Sequence, residues 1–466
     1  MTPRGKGDVP AVALPPVDRT HLARLLEGER TAFAAHHPRS RALFATAQRS
    51  LLGGVPMPWM TECASPHPVY AAEARGSEIW DVDGNRYIDL CLGDTGAMTG
   101  HAPEAVAAAI AAQVGRGTTT MLPTEDAAVV AEELARRVGL PFWHFCLTAT
   151  DANRFAIRLA RHLTGRPRIL VFNGCYHGSV DEALVQIGAD GPVPRPGNVG
   201  PPVDPRHTTR VVEWNDPAAL EAALAEGDVA CVLAEPAMTN IGIIPPEPGY
   251  HDQLRRLTRA AGTLLIIDET HTLSAGLGGG TRLYGLDPDF VTMGKPLASG
   301  VPAAAYGMSA AVAAQISDRP TLLQLSDVGG IGGTLAGNAL SLAAMRATLE
   351  TVLTADAYRH MLALGAAFAE QVAAVFSEHR VPWHVARIGA RVEYGFSPTQ
   401  PRNGGEAIRS EDPELGRFLH LFMLNRGILL TPFHNMALMA PTTTAAQVAR
   451  HTVLLTEAVA QLWPEA

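Results

Sequence analysis

The chain has 466 residues, a formal net charge of −9 and 47% apolar residues. That length exceeds what one hydrophobic core organises, so a large domain with a smaller companion is expected. The charge is mildly acidic and basic residues gather only in short stretches such as 158–168, which excludes the electrostatic footprint of a nucleic-acid binder and leaves small molecules as the partner class.

Residues 1–18 are rich in proline and glycine and lack the apolar core of a secretory signal, so they read as a mobile tail, with 1–38 as a flexible N-terminal region. The five cysteines are odd in number, scattered and free of any C-x-x-C pair, which argues against a disulfide framework and a zinc knuckle. No run of about 18 apolar residues lacks breakers or charges, so no membrane span is expected. These features predict a soluble, cytoplasmic protein.

Residues 39–52 pattern as an amphipathic helix that stops at Gly53-Gly54. A hairpin is expected next, with strands at 78–82 and 86–90 around Asp83-Gly84-Asn85. From 102 onward, alanine-rich helical stretches alternate with β-branched runs at 168–172, 229–234, 263–267 and 289–293. Such runs read as buried strands, and the stretches between them (216–226, 250–261) are long enough for parallel crossovers, which predicts an α/β domain with a mostly parallel sheet. After Gly337 long helices dominate, at 338–353, 355–378 and from 444. The expected division is therefore 39–101 as an N-terminal part of the small domain, 102–337 as the large domain and 338–466 as the rest of the small domain.

In an open parallel sheet ligands sit beyond the carboxyl ends of the strands. There the run 263–267 ends in Asp268-Glu269-Thr270-His271, and 289–293 ends in Gly294-Lys295-Pro296. A lysine or an aspartate alone at a strand end is usually just a solvated charge. Together they match what pyridoxal phosphate needs: an amine to form an imine, and a buried carboxylate to keep the ring nitrogen protonated. No His/Asp/Glu spacing suggests a metal site.

With these residues in place, the chain from about Arg39 onward resembles the class III pyridoxal-phosphate aminotransferases, in particular the glutamate-1-semialdehyde aminomutase subgroup. The resemblance implies fold type I, with Lys295 carrying pyridoxal 5′-phosphate as a Schiff base and Asp268 on its ring nitrogen. Thr148-Ala149-Thr150-Asp151-Ala152-Asn153 is similar to the family's Ser-Gly-Thr-Glu-Ala turn, placing Ala149 and Thr150 at the phosphate, where a helix N-terminus suits an anion. Tyr176 and His177 fall in the Tyr-His-Gly segment, whose ring stacks on the cofactor, and Thr270 would cover the opposite face. Glu235 and Asn240 match the Glu-Pro-x-x-x-Asn-x-Gly segment, with Asn240 at the phenolic oxygen and Glu235 supporting the loop. Gly333 and Thr334 match the segment that reaches a neighbouring subunit's phosphate, which implies a homodimer.

Family membership implies transfer of an amino group between an amine and a carbonyl compound. An aminomutase, or a racemase or epimerase, would use the same lysine, and a protein that binds the cofactor without turnover is a further alternative. Where the aminomutases carry a serine and an arginine that engage substrate, this chain reads Gly54-Val55-Pro56-Met57-Pro58-Trp59-Met60, which favours transamination and suggests Trp59 in a more apolar pocket. Asp94, in a segment where an aromatic residue is common, would face a polar or cationic substrate group. Arg391 is the expected carboxylate binder at the mouth of the site, by the two parallel hydrogen bonds a guanidinium offers, with His434 as a weaker candidate.

Overall fold

The computed structural model describes residues 14–200, 203–319 and 330–464. Its centre is a seven-stranded sheet in the spatial order Phe142–Cys146, Ala304–Met308, Phe290–Met293, Leu264–Asp268, Val229–Ala234, Arg168–Phe172 and Thr209–Val212. Neighbours are parallel except where Ala304–Met308 runs antiparallel to both of its partners. The expected α/β architecture is therefore present. Val229–Ala234 is buried along its whole length, because helices cover both faces and no residue of such a strand meets water.

Register places the chemistry. Asp268 lies opposite Thr292 across a parallel pair, so the carboxylate and the Gly294-Lys295 turn leave adjacent strands at the same sheet edge. That edge is the carboxyl end predicted to carry the ligand.

A second layer joins the chain's two ends. The hairpin Glu78–Asp81 and Arg86–Asp89 forms as expected, and Ile428–Leu429 pairs in parallel with Arg86–Asp89. A third sheet holds His384–Ile388, Arg391–Gly395 and Met436–Leu438. The helix Ala355–Glu378 passes for a membrane-crossing helix by length and composition alone, but Gly365 and Glu370 interrupt its apolar stretch. Here it packs on Ala445–Leu462 and buries Met361, Phe368 and Val372.

The N-terminal region needs correction. Most of residues 1–18 lie outside the described residues, but Arg19–His36 is an 18-residue helix rather than a flexible segment. The Asp18 side chain caps it by accepting from the Thr20 amide at 2.8 Å. Its buried Leu22, Leu26, Glu29 and Phe33 recur at helical spacing and face the helix Pro413–Leu424. Arg19 donates two hydrogen bonds to Asp412, at 2.9 and 2.6 Å. Burying three large apolar side chains, at roughly 1.5–3 kcal/mol each, outweighs the helix's polar composition.

Candidate active site

The helix Ala149–Thr164 begins with a capping box. Thr148 Oγ1 accepts from the Asp151 amide at 3.1 Å, and Asp151 accepts in return from the Thr148 amide. The amides of Ala149 and Thr150, ahead of that bond, are the unpaired donors that every helix start presents. Two glycines let other segments approach them. A Cβ at Gly294 would lie 3.0 Å from the Ala149 Cβ, and one at Gly178 only 2.1 Å from Thr150 Oγ1. The lysine turn and the Tyr176-His177-Gly178 segment are therefore packed directly on the helix start.

Asp268 is 4% exposed and fully hydrogen-bonded. Its Oδ2 accepts from His177 Nδ1 at 2.9 Å and Asn153 Nδ2 at 2.9 Å, and its Oδ1 accepts from the Thr270 amide at 3.0 Å. Asn153 is held in turn because Thr292 Oγ1 donates to its Oδ1 at 2.6 Å, which fixes the amide's orientation. Burial would raise the Asp268 pKa, but the His177 imidazole and these donors outweigh it and bring the value to about 2. Burial likewise disfavours a charged His177, yet the neighbouring Cys175 sulfur and Asp268 carboxylate hold its pKa well above the ordinary value. An ionised, buried carboxylate beside a strand-end lysine fits a pyridinium nitrogen.

Around Lys295 the arrangement is different. Nζ donates to Asp94 Oδ2 at 2.7 Å and lies 2.9 Å from His271 Nε2. Asp94 stands on four successive residues with positive φ: Leu92 (46°), Gly93 (57°), Asp94 (48°) and Thr95 (82°). For the three that are not glycine this costs roughly 1–2 kcal/mol each. Asp89 fastens the run: its Oδ1 accepts from the Leu92 amide at 2.8 Å, and His101 lies 2.7 Å from its Oδ2. Burial alone would raise the Asp94 carboxyl, but its neighbours His271, Lys295 and Arg391 hold it well below the usual carboxylate range.

Arg391 is not at the mouth of the site. It is fully buried, and its guanidinium donates to Thr95 Oγ1 at 3.3 Å, His271 Nδ1 at 3.0 Å and the Thr239 carbonyl at 3.2 Å, with Asp94 Oδ1 3.6 Å away. The strand Arg391–Gly395 is buried at four of its five positions, so its polar residues point inward. Glu235 is a brace as well: it accepts from the amide and hydroxyl of Thr239, the residue whose carbonyl Arg391 holds. Asn240 Nδ2 donates to the Gly174 carbonyl at 3.0 Å, tying its loop to the Tyr176 segment.

The structure thus gathers Asp268, His177 and Thr270 with Asn153, and Lys295, Asp94 and Arg391 with Thr95 and His271. Trp59 and His434 form a separate group. Trp59 is 41% exposed and meets Phe433 edge-on at 6.0 Å, while His434 Nδ1 donates to Glu393 at 2.9 Å. Gly333 and Thr334 are exposed, in the turn before Asn338. The sequence alone assigns no role to His271, Asn153, Thr95 or Asp89. Only His271 carried a signal, three residues beyond Asp268.

The profile of the class III aminotransferase family matches residues 60–459. The chain is a class III aminotransferase family member. It is 34% identical over 401 residues to glutamate-1-semialdehyde 2,1-aminomutase 2 of Brevibacillus brevis, covering 84% of this chain and 91% of that one. A solved glutamate-1-semialdehyde-aminomutase from Pseudomonas aeruginosa is 50% identical, with a TM-score of 0.92 over 96% of this chain and 99% of that one. A lysine-to-alanine form of the Pseudomonas protein was solved in complex with PMP. An omega-transaminase from Sphaerobacter thermophilus is 31% identical, with a TM-score of 0.82 over 91% of this chain and 97% of that one. The class III enzyme described here therefore has fold type I and uses pyridoxal 5′-phosphate.

Proposed function

We propose that this enzyme moves an amino group from an amine donor to a carbonyl acceptor, with Lys295 as the reacting amine. The observation that carries the reading is Asp268, ionised, buried and saturated with donors beside the lysine's strand. Bound pyridoxal 5′-phosphate supplies an electron sink when its ring nitrogen stays protonated. Asp268 keeps that proton in place. Ala149 and Thr150 would offer backbone donors to the phosphate, Asn240 would hold the phenolic oxygen, and Tyr176 and Thr270 would cover the two ring faces. The Lys295 amine would take the proton from the substrate carbon and hand it on.

Three features favour transamination over mutase chemistry. The segment Gly54 to Met60 lacks the substrate-binding serine and arginine, and Arg391 is consumed by internal partners. Asp94 adds a negative charge where a substrate carboxylate would otherwise sit. The aminomutase reading is supported by the name of the 50% identical Pseudomonas structure.

Absorbance of the cofactor-loaded enzyme separates the two. A panel of amine donors should convert the cofactor to its aminated form and release a carbonyl product, with a second carbonyl compound reversing the change. Turnover of glutamate 1-semialdehyde alone to its isomer with the amine moved from carbon 2 to carbon 1, without any exchange with external donors, would establish the mutase instead.

Gly333 and Thr334 complete the phosphate site of a second copy of the chain. Mixing Lys295→Ala with Thr334→Ala subunits under proven exchange should then restore activity, because one of the two sites in the mixed dimer carries neither defect. Activity at the sum of the two parents would show self-contained sites.

A further inference from the structure

Among the described residues, His271 is the one group touching Lys295 that this reading leaves without a task. Its ring spans from the lysine to Arg391, with Nε2 2.9 Å from Nζ and Nδ1 3.0 Å from Arg391 Nη1 and 2.9 Å from Thr95 Oγ1. A guanidinium has donors only, so Arg391 must donate to Nδ1, and that nitrogen carries no proton. Burial, with the charge of Arg391, holds the imidazole pKa well below its ordinary value against the opposing pull of Asp94 and Asp268. A neutral imidazole with a bare Nδ1 keeps its single proton on Nε2, the nitrogen aimed at the lysine.

We propose that His271 is a positioning residue for the Lys295 amine: its Nε2–H donates to the Nζ lone pair, while Nζ gives an N–H to Asp94 Oδ2. The amine is then pinned between one donor and one acceptor. The proposal rests on Lys295 being the reacting amine. Such an amine has a defined direction for its lone pair whenever it is free of the cofactor, and a long side chain that would otherwise explore several rotamers stays where it must act. Arg391 has a place in this scheme, since it sets the tautomer that makes His271 a donor. The sequence departs from an ordinary solvated histidine in one further respect: Thr95, the second group on Nδ1, is delivered by the strained run that also delivers Asp94.

The test uses the full chain labelled with ¹⁵N-histidine, before and after addition of pyridoxal 5′-phosphate. The His271 signals, assigned by their loss in His271→Gln, should show a protonated Nε2 and a bare Nδ1, and the Nε2 signal should move in Lys295→Ala. A proton on Nδ1, or an Nε2 signal indifferent to Lys295→Ala, overturns the proposal. In single-turnover amine transfer, His271→Gln, which can still present an amide N–H, should stay within about threefold of the parent. His271→Leu should lose on the order of tenfold or more with an unchanged Kd for the cofactor. Equal rates in the two variants, or a Kd that weakens in step with the rate, would show a merely structural residue. Borohydride reduction keeps the two levels apart: an adduct on another lysine removes the functional reading itself, whereas an adduct on Lys295 with the wrong tautomer removes only the role of His271.

Discussion

Asp268 and Asp94 are held in opposite ways. Asp268 sits at the end of a regular strand, and three donors on three segments converge on it. Asp94 sits on a run of positive φ, shares its charge with Lys295 and Arg391, and has a buried Oδ1 with no hydrogen-bond partner among the described residues. A fully satisfied carboxylate has one state, and it suits a charge that never changes during turnover. A carboxylate with an unspent acceptor can exchange partners as the lysine leaves and returns. One side of the site is therefore built for constancy and the other for change.

The largest expected effect lies where the two sides meet. Lys295→Ala should abolish the covalent adduct, so that borohydride reduction followed by peptide mapping finds no modified lysine. An adduct on any other lysine would end the assignment. On the constant side, Asp268→Asn should fold normally and lose activity by on the order of a hundred- to a thousandfold, since an amide cannot hold a protonated ring nitrogen. Activity within a few-fold of the parent would mean that this carboxylate is not the ring partner.

Smaller effects are expected on the changeable side. Because Arg391 serves internal partners, Arg391→Met should reduce kcat/KM for a keto acid and for a carboxylate-free aldehyde alike, by about tenfold each. A loss confined to the keto acid would restore Arg391 as a carboxylate binder. Asp94→Asn should favour the keto acid over the aldehyde by about threefold to tenfold, through relief of like-charge repulsion. The reverse preference would show that Asp94 does not face the acceptor.

The smallest effect concerns the brace behind Arg391. Burial raises the Glu235 pKa to about 7, against the opposing pulls of His177 and Thr239. A raised folded-state pKa stabilises the fold below the ordinary value near 4.5, and that contribution is lost as pH rises through 7. The rise corresponds to about 3 kcal/mol. Glu235→Gln should therefore gain thermal stability relative to the parent between pH 5 and pH 8, by about a few degrees in Tm. A difference in Tm that does not vary with pH would show that Glu235 is not protonated in the folded protein at neutral pH.

The legibility of the sequence follows the same divide. Asp268, Lys295 and the helix start at Ala149 were readable because each is fixed by a local pattern: a β-branched run, then a chemical residue at its end. The side built for change was not, because Asp94 with Thr95, His271 and Arg391 come from three distant segments and meet only through packing. Arg391 and Glu393 alternate with Val392 and Tyr394, a pattern that normally puts the charges in water. Here both faces of the strand are buried, with Arg391 turned to the Lys295 side of the site and Glu393 to His434. The helix Arg19–His36 was hidden by the proline-rich stretch before it and by its low apolar content, since three apolar side chains and three ion pairs carry its attachment.

Asp89, which fastens the strained run under Asp94, lies on the strand that pairs with Ile428–Leu429. During synthesis that partner leaves the ribosome long after the seven central strands have emerged. The central sheet can therefore assemble while translation continues, but the hairpin keeps an unpaired edge until Ile428–Leu429 arrives. The catalytic pocket is in this sense sealed late: a product truncated ahead of Ile428 would retain Lys295 and Asp268 yet lack the strand that steadies Asp94.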